Sequence, residues 1–232
     1  MPVEEIGNMM LCLAAVKKYS GGDTGLFDSN KELMEKWIKY LIDFGYDPAN
    51  QLCTDDFAGM LARNCNLSVK AIMGIAAYSD LSGDNSYMEI AKEWAEKWEK
   101  DAKANHGATR LTFDTPDTWS LKYNMVWDNL LGYGIFSDEV KKNEIKIYSE
   151  KMNRYGVPLD SRAAYTKVDW LMWSTKIWDD SDYFNKVCAS VVNMLNEASM
   201  RVCFPDWYDT TNSEYVNFTN RSVVGGLFIN LL

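Results

Sequence analysis

Histidine is the scarcest functional residue in the sequence: His106 is the only one in 232 residues. A single imidazole excludes a multi-His zinc site and leaves one candidate base for a Ser-His-Asp or Cys-His arrangement. Any catalysis then rests on carboxylates, Lys, Tyr or hydroxyls. His106 itself follows Lys103 in a polar tail and reads as solvated. Cysteine is also poorly arranged for chemistry. The five cysteines, Cys12, Cys53, Cys65, Cys188 and Cys203, are odd in number and form no CxxC pair, so neither a metal knuckle nor a redox couple is indicated and buried thiols are expected. No metal or cofactor is expected. No run of about 18 uncharged apolar residues occurs, so no membrane partner is indicated, and the N-terminus lacks the basic, apolar, small-residue order of a signal peptide. Positive charge is short as well, with 24 Lys and Arg against 33 Asp and Glu, a net of −9. That balance repels a phosphate backbone and argues against nucleic acid as a partner.

What is present is helical periodicity, in a chain whose 47% hydrophobic and 25% charged content is that of an ordinary globular domain. Folding a chain of this length removes roughly 70% of its surface from water, so a core forms without disulfide staples. One set of segments is amphipathic. Leu33 to Phe44 carries Leu33, Met34, Trp37, Tyr40, Leu41 and Phe44 on one stripe, and Tyr87 to Trp98, Val140 to Met152 and Tyr183 to Leu195 behave alike. A second set is apolar almost all round: 8–16, 68–78, 120–136, 166–178 and 222–232. A helix without a polar face must be covered on several sides, so this set belongs inside and the first set outside. Short turn or cap clusters (Gly21-Gly22, Ser82-Gly83-Asp84, Ser137-Asp138, Asp179-Asp180-Ser181) join each inner helix to the next outer one.

A weak repeat supports hairpins of about 50 residues. Hydroxyl residues at the starts of the inner helices fall at Ser68, Ser120, Thr166 and Ser222, spaced 52, 46 and 56 residues apart. Long aromatic and charged connections on one side favour an all-α architecture, an α/α toroid with its site at that end, over an open solenoid. Arg110 to Phe113 is the only strand candidate. Nine helices are legible where six hairpins need twelve, and the expectation is a single α/α-toroid domain over 1–232 that is an incomplete part of a longer protein.

Polar residues crowd at the long-loop ends: Glu4 and Glu5, Asp55 and Asp56, Trp119 through Asn124, Asp160 and Arg162, Lys167, Asp169 and Trp170, Asp206 and Trp207, and Arg221. If the inner helices ring one axis, these converge on an acidic and aromatic cleft. Each also has a plainer reading. Glu4-Glu5 and Asp55-Asp56 serve equally as caps and first-turn acids, and only one acid of each adjacent pair can face a site. Lys70, Lys122 and Lys167 open otherwise apolar helices, where a buried ammonium demands a carboxylate partner. Ser68 and Lys70, two apart on a helix, do not share a face, which argues against a hydroxyl-lysine dyad within one motif. The tryptophans are core residues as readily as a stacking platform.

Seven ordered motifs then carry a resemblance: Met1-Pro-Val-Glu-Glu5, Asn50-Gln-Leu-Cys-Thr-Asp-Asp-Phe-Ala-Gly59, Asn66-Leu-Ser-Val-Lys-Ala-Ile72, Trp119-Ser-Leu-Lys-Tyr-Asn124, Tyr155-Gly-Val-Pro-Leu-Asp-Ser-Arg162 with Tyr165-Thr-Lys-Val-Asp-Trp170, Asp206-Trp-Tyr-Asp-Thr210, and Arg221-Ser-Val-Val-Gly-Gly226. Together they resemble the six-helical-hairpin domain of the glutaminase A family. The resemblance implies a toroid like that of six-hairpin glycosidases, preceded in full-length members by a β-rich N-terminal region that would be its partner. It implies a secreted or periplasmic protein, and hydrolysis of glutamine to glutamate and ammonia. Where the family often carries histidines after Phe57-Ala58-Gly59, this sequence has Met60 and Arg63, so a histidine role there is not carried over.

Chemistry and placement supply the candidate roles. For hydrolysis of glutamine or a related small amide, Glu5, Asp56 or Asp169 would act as the catalytic carboxylate, Lys122 or Arg221 would stabilise the oxyanion, and Arg162 would hold the substrate carboxylate bidentately. Asp55, Trp119, Tyr123, Asp160, Lys167, Trp170, Asp206 and Trp207 complete the substrate-binding set. The alternative is an inverting glycoside hydrolase acting on a saccharide, with Asp160, Asp169 or Asp206 opposite Glu5. A third reading is a non-catalytic scaffold whose loops dock the missing region.

Overall fold

A computed structural model describes residues 1–199 and 203–232, and the chain forms two compact units. The first comprises Met1–Lys103, Thr112–Pro116 and Trp127–Phe136; the second comprises Ala104–Leu111, Asp117–Val126 and Ser137–Leu232. The fold is all-α in class with one small sheet, as the periodicity implies. No helix among the described residues is long and apolar enough to cross a membrane.

In the first unit α1 (Pro2–Tyr19) packs on α4 (Cys65–Ser82), flanked by α3 (Lys31–Phe44) and α5 (Asn85–Asp101), with a one-turn α2 (Gly25–Asp28) between α1 and α3. α4 is the innermost helix, with every residue buried except Asp80 and Ser82. Its start is fixed by Asn64, whose Oδ1 accepts from the backbone N–H groups of Asn66 and Leu67 at 2.9 and 3.2 Å. Its end is fixed by Gly83 in the left-handed region, and Asp84 then caps α5 by accepting from Ser86 N. α1 can lie close to α4 because Gly7 and Gly74 face one another. A Cβ on Gly74 would come within 3.3 Å of Gly7 Cα, and one on Gly7 within 2.6 Å of Lys70 Cγ. The outer helices bury narrow stripes, Met34, Ile38 and Leu41 on α3 and Ala91, Ala95 and Trp98 on α5. Leu33 and Phe44, expected on the α3 stripe, are exposed instead.

The second unit departs further from the expected hairpins. α7 (Asp138–Lys151) and α9 (Ser181–Glu197) form as expected, capped by Ser137 and Asp180. The three inner helices do not. Segment 120–136 becomes a 3-10 turn (Tyr123–Met125) followed by a short α6 (Val126–Leu131), which stops at Gly132 and Gly134, both with positive φ. α6 also carries the chain from the second unit into the first. Segment 166–178 becomes β1 (Tyr165–Lys167) leading into α8 (Val168–Ser174), and 222–231 is a 3-10 segment (Ser222–Leu231). Arg110–Phe113 is not a strand. The sheet is built from β1, β2 (Pro205–Asp209) and β3 (Tyr215–Thr219), all antiparallel in the order β1-β2-β3. Periodicity missed it because strands of three to five residues are too short to show alternation.

The thiols also divide. Cys53 and Cys65 are buried as expected, whereas Cys12 and Cys203 are exposed. Burial pushes the Cys53 thiol up to about 12, which makes it inert at neutral pH.

Candidate active site

The sheet of the second unit gathers four of the charged candidates, Lys167, Asp169, Asp206 and Arg221. β1 pairs with β2 so that Lys167 lies opposite Trp207, next to Asp206. Lys167 Nζ donates to Asp206 Oδ2, and Arg221, just past β3, donates to the same carboxylate through both Nε and its terminal nitrogen. Asp206 has no solvent exposure. Burial alone would raise its pKa, but the hydrogen bonds from Arg221 and Lys167 more than offset this and hold the carboxyl below the ordinary range. Phe218 lies under both cations, its ring centre 4.1 Å from the Arg221 guanidinium and 5.3 Å from Lys167 Nζ. It adopts a φ of 55°, which is rare for a bulky residue, with its N–H bonded to the Asn217 side chain. Trp207 packs at 5.2 Å on Phe218 and edge-on to Tyr165.

Asp169, two residues beyond Lys167 in the first turn of α8, is different. It is 3% exposed, and its Oδ1 is buried with no hydrogen-bond partner among the described residues. Burial pushes its pKa up to about 6, reinforced by the nearby Asp206 charge and opposed by Lys167 and by the backbone N–H groups of Asp169 and Trp170. Beside it Trp170 stacks on Tyr123, with ring centres 4.6 Å apart and planes at 16°, and meets Trp173 edge-on at 5.0 Å. The result is a carboxyl that is half protonated near pH 6, in an element rich in aromatic side chains and next to the Lys167–Asp206–Arg221 triad. A carboxyl of that pKa is a better proton acceptor than an ordinary aspartate and still largely ionised at pH 7.

The remaining candidates of this unit are committed to partners. Lys122 does not open a helix: it sits before the 3-10 turn, fully buried, and its Nζ donates to Ser120 O at 3.1 Å and Ser120 Oγ at 2.8 Å. Ser120 and Lys122 lie outside any helix, unlike Ser68 and Lys70, so helical spacing does not keep this hydroxyl and lysine apart. Lys122 N donates to the Tyr148 hydroxyl, which donates to Glu144 Oε2; Oε1 of the buried Glu144 accepts from Thr109 N and Oγ1. Trp119 is buried against Tyr148. Arg162 closes a fork on Asp160, with Nε and its terminal nitrogen at 2.9 and 2.7 Å, so its bidentate face is occupied from within the chain. His106 is exposed, with Nε2 3.0 Å from Thr118 O.

The first unit holds a separate buried cluster. Glu4, not Glu5, faces inward, because α1 turns Glu5 to solvent. Lys70 Nζ reaches Glu4 Oε1 at 2.5 Å, Asn8 Oδ1 at 2.7 Å and Thr54 Oγ1 at 3.0 Å, while Thr54 also donates to Glu4. Of the other acid pair, Asp55 is buried and Asp56 exposed at the head of a 3-10 turn. Glu5 and Asp56 therefore lack the desolvated surroundings expected of a catalytic carboxylate. Glu4, Asn8 and Thr54 were not singled out as a cluster by the sequence, although the demand of a buried Lys70 for a carboxylate pointed to one of the acids.

Comparison with known proteins follows the same line. The family model for the Glutaminase A six helical-hairpin domain matches residues 1–231. Glutaminase A of Aspergillus oryzae is 33% identical over 249 aligned residues, which cover 100% of this chain and 35% of that protein. A protein of Arthroderma benhamiae named "Probable glutaminase" is 31% identical over 239 aligned residues, covering 87% of this chain and 28% of its own length. The chain thus spans about a third of the length of these relatives. It belongs to the glutaminase A six-helical-hairpin family.

Proposed function

We propose that this chain contributes the catalytic carboxylate of an amide hydrolase acting on glutamine or a related small amide, and that Asp169 is that carboxylate. The observation that carries the reading is the bare, buried Oδ1 of Asp169 beside a neighbour, Asp206, that is paired twice over. As the base, the Asp169 carboxylate takes a proton from water while the water oxygen bonds to the amide carbon. The carbonyl electrons move to oxygen, where a cation stabilises them; Arg221, with 39% of its side chain exposed, is the cation of the triad that stays accessible. The Asp169 acid then protonates the amide nitrogen, the C–N bond breaks, and ammonia and the carboxylic acid leave. The names of the two fungal relatives agree with this chemistry.

A glycosidase has less support, because an inverting pair needs a second, available carboxyl. Asp206 and Asp160 are both occupied by cations. In the same reading the rest of a longer protein is the intramolecular partner and the working protein is exported. The test is ammonia release from glutamine, asparagine and γ-glutamyl amides by the protein at the length of its relatives, beside reducing-sugar release from mixed oligosaccharides. Ammonia from glutamine, lost in Asp169→Asn, is the expected result; sugar release, or ammonia that survives the substitution, overturns it.

A further inference from the structure

Asp169 is buried in part by a neighbour that carries no functional group. The 3-10 segment Ser222–Leu231 packs along α8, and at Gly226 its backbone lies against Asp169. A Cβ on Gly226 would lie 2.9 Å from Asp169 Cβ, 3.2 Å from Asp169 Cα and 3.0 Å from Trp173 Nε1. The first two atoms are backbone or one bond from it, so they cannot swing aside as the end of a long side chain could. Its neighbour Gly225 has open space where a Cβ would be. Neither glycine adopts the left-handed backbone. Contact with Asp169, and not a turn, is therefore what requires glycine at 226.

We propose that Gly226 is a positioning residue for Asp169: lacking a side chain, it lets the 3-10 segment close on this residue and shield it from bulk water, so that the only water Oδ1 meets is the one it activates. Its importance for turnover rests on the reading of Asp169 as the base. The titratable groups around Asp169 are Lys167 on β1, Asp206 on β2, Arg221 at the head of the 3-10 segment, Tyr123 in the 3-10 turn and, on the α9 side of α8, Tyr183, whose hydroxyl meets Ser174. Residues 222–231 add no charge of their own. The segment therefore acts on Asp169 through desolvation, which is also the largest influence on that carboxyl. Asn230 holds the same segment in place by donating from Nδ2 to Thr175 Oγ1 at 2.8 Å.

The experiment is a carboxyl-carbon NMR titration of Asp169 in the 232-residue chain, its resonance assigned by its loss in Asp169→Asn. Gly226→Ala forces the segment away and admits water, so the midpoint falls from about 6 by about one pH unit. Gly225→Ala leaves it unchanged. Asn230→Ala, which adds no bulk and removes one hydrogen bond of the segment, moves it in the same direction by less, and serves if Gly226→Ala fails to fold. Folded Gly226→Ala with the parent midpoint, an equal shift in Gly225→Ala, or no shift in Asn230→Ala where it stands in, overturns the proposal. The titration needs no turnover. A failure of the base reading would appear separately, as ammonia release that survives Asp169→Asn.

Discussion

The two units each bury an ion cluster, and the clusters differ in what they leave over. In the first, the Lys70 ammonium has three donors and three acceptors, Glu4, Asn8 and Thr54, and it ties α1 and the loop before α4 to α4 itself. In the second, Lys167 and Arg221 both serve Asp206, and Asp169 is left with a buried oxygen that has no hydrogen-bond partner among the described residues. A satisfied cluster fixes geometry. An unsatisfied carboxyl costs stability whenever it is ionised, and a fold that retains such a group keeps it for chemistry more readily than for packing.

This contrast can be broken by substitution, starting with the largest effect. Asp169→Asn should lower ammonia release from glutamine by about 100-fold or more, the usual contribution of a positioned base, whereas Glu4→Gln should change turnover far less in whatever fraction remains folded. Lys70→Met should destabilise the chain by about 3–5 kcal/mol in denaturant unfolding, because it leaves the Glu4 carboxylate buried alone; adding Glu4→Leu should recover most of that loss. Asp169→Asn should do the opposite. The pKa of Asp169 is raised on folding, so ionisation opposes the folded state and the penalty is present above about pH 6. At pH 7 the substitution should therefore stabilise by about 3 kcal/mol, a gain that shrinks as pH falls from about 6 and is gone below about 3.9, where the aspartate is protonated in both states. Asp206 has the opposite sign. Its lowered pKa means that its contribution is present above the ordinary carboxylate range and is lost as pH falls through its folded value. The smallest effect belongs to the exposed acids: Glu5→Gln and Asp56→Asn should each shift stability by no more than about 0.5 kcal/mol.

The first unit was legible because its signals are long. The eighteen mostly apolar residues of α4 between Asn64 and Gly83 show both the period and the caps. The same apolar content at 166–178 misled, because a strand of three residues and a helix of seven together mimic one inner helix. At the site, the need of buried lysines for carboxylates was readable, and Lys70 with Glu4 and Lys167 with Asp206 meet it, but which acid each lysine takes was not. Which member of Glu4-Glu5 or Asp55-Asp56 faces inward was not, since adjacent residues point apart and only the rotation of the element decides. Gly226 gave no signal at all, because the requirement for glycine there comes from an atom 57 residues away in sequence.

The most direct test is the pH dependence of kcat/KM for glutamine in the protein at the length of its relatives, compared with Asp169→Asn. The parent should lose activity below an acid limb near 6, set by the buried carboxyl. The variant should retain only a small residue of activity without that limb. An Asp169→Asn protein that keeps both the rate and the limb would show that the base lies elsewhere.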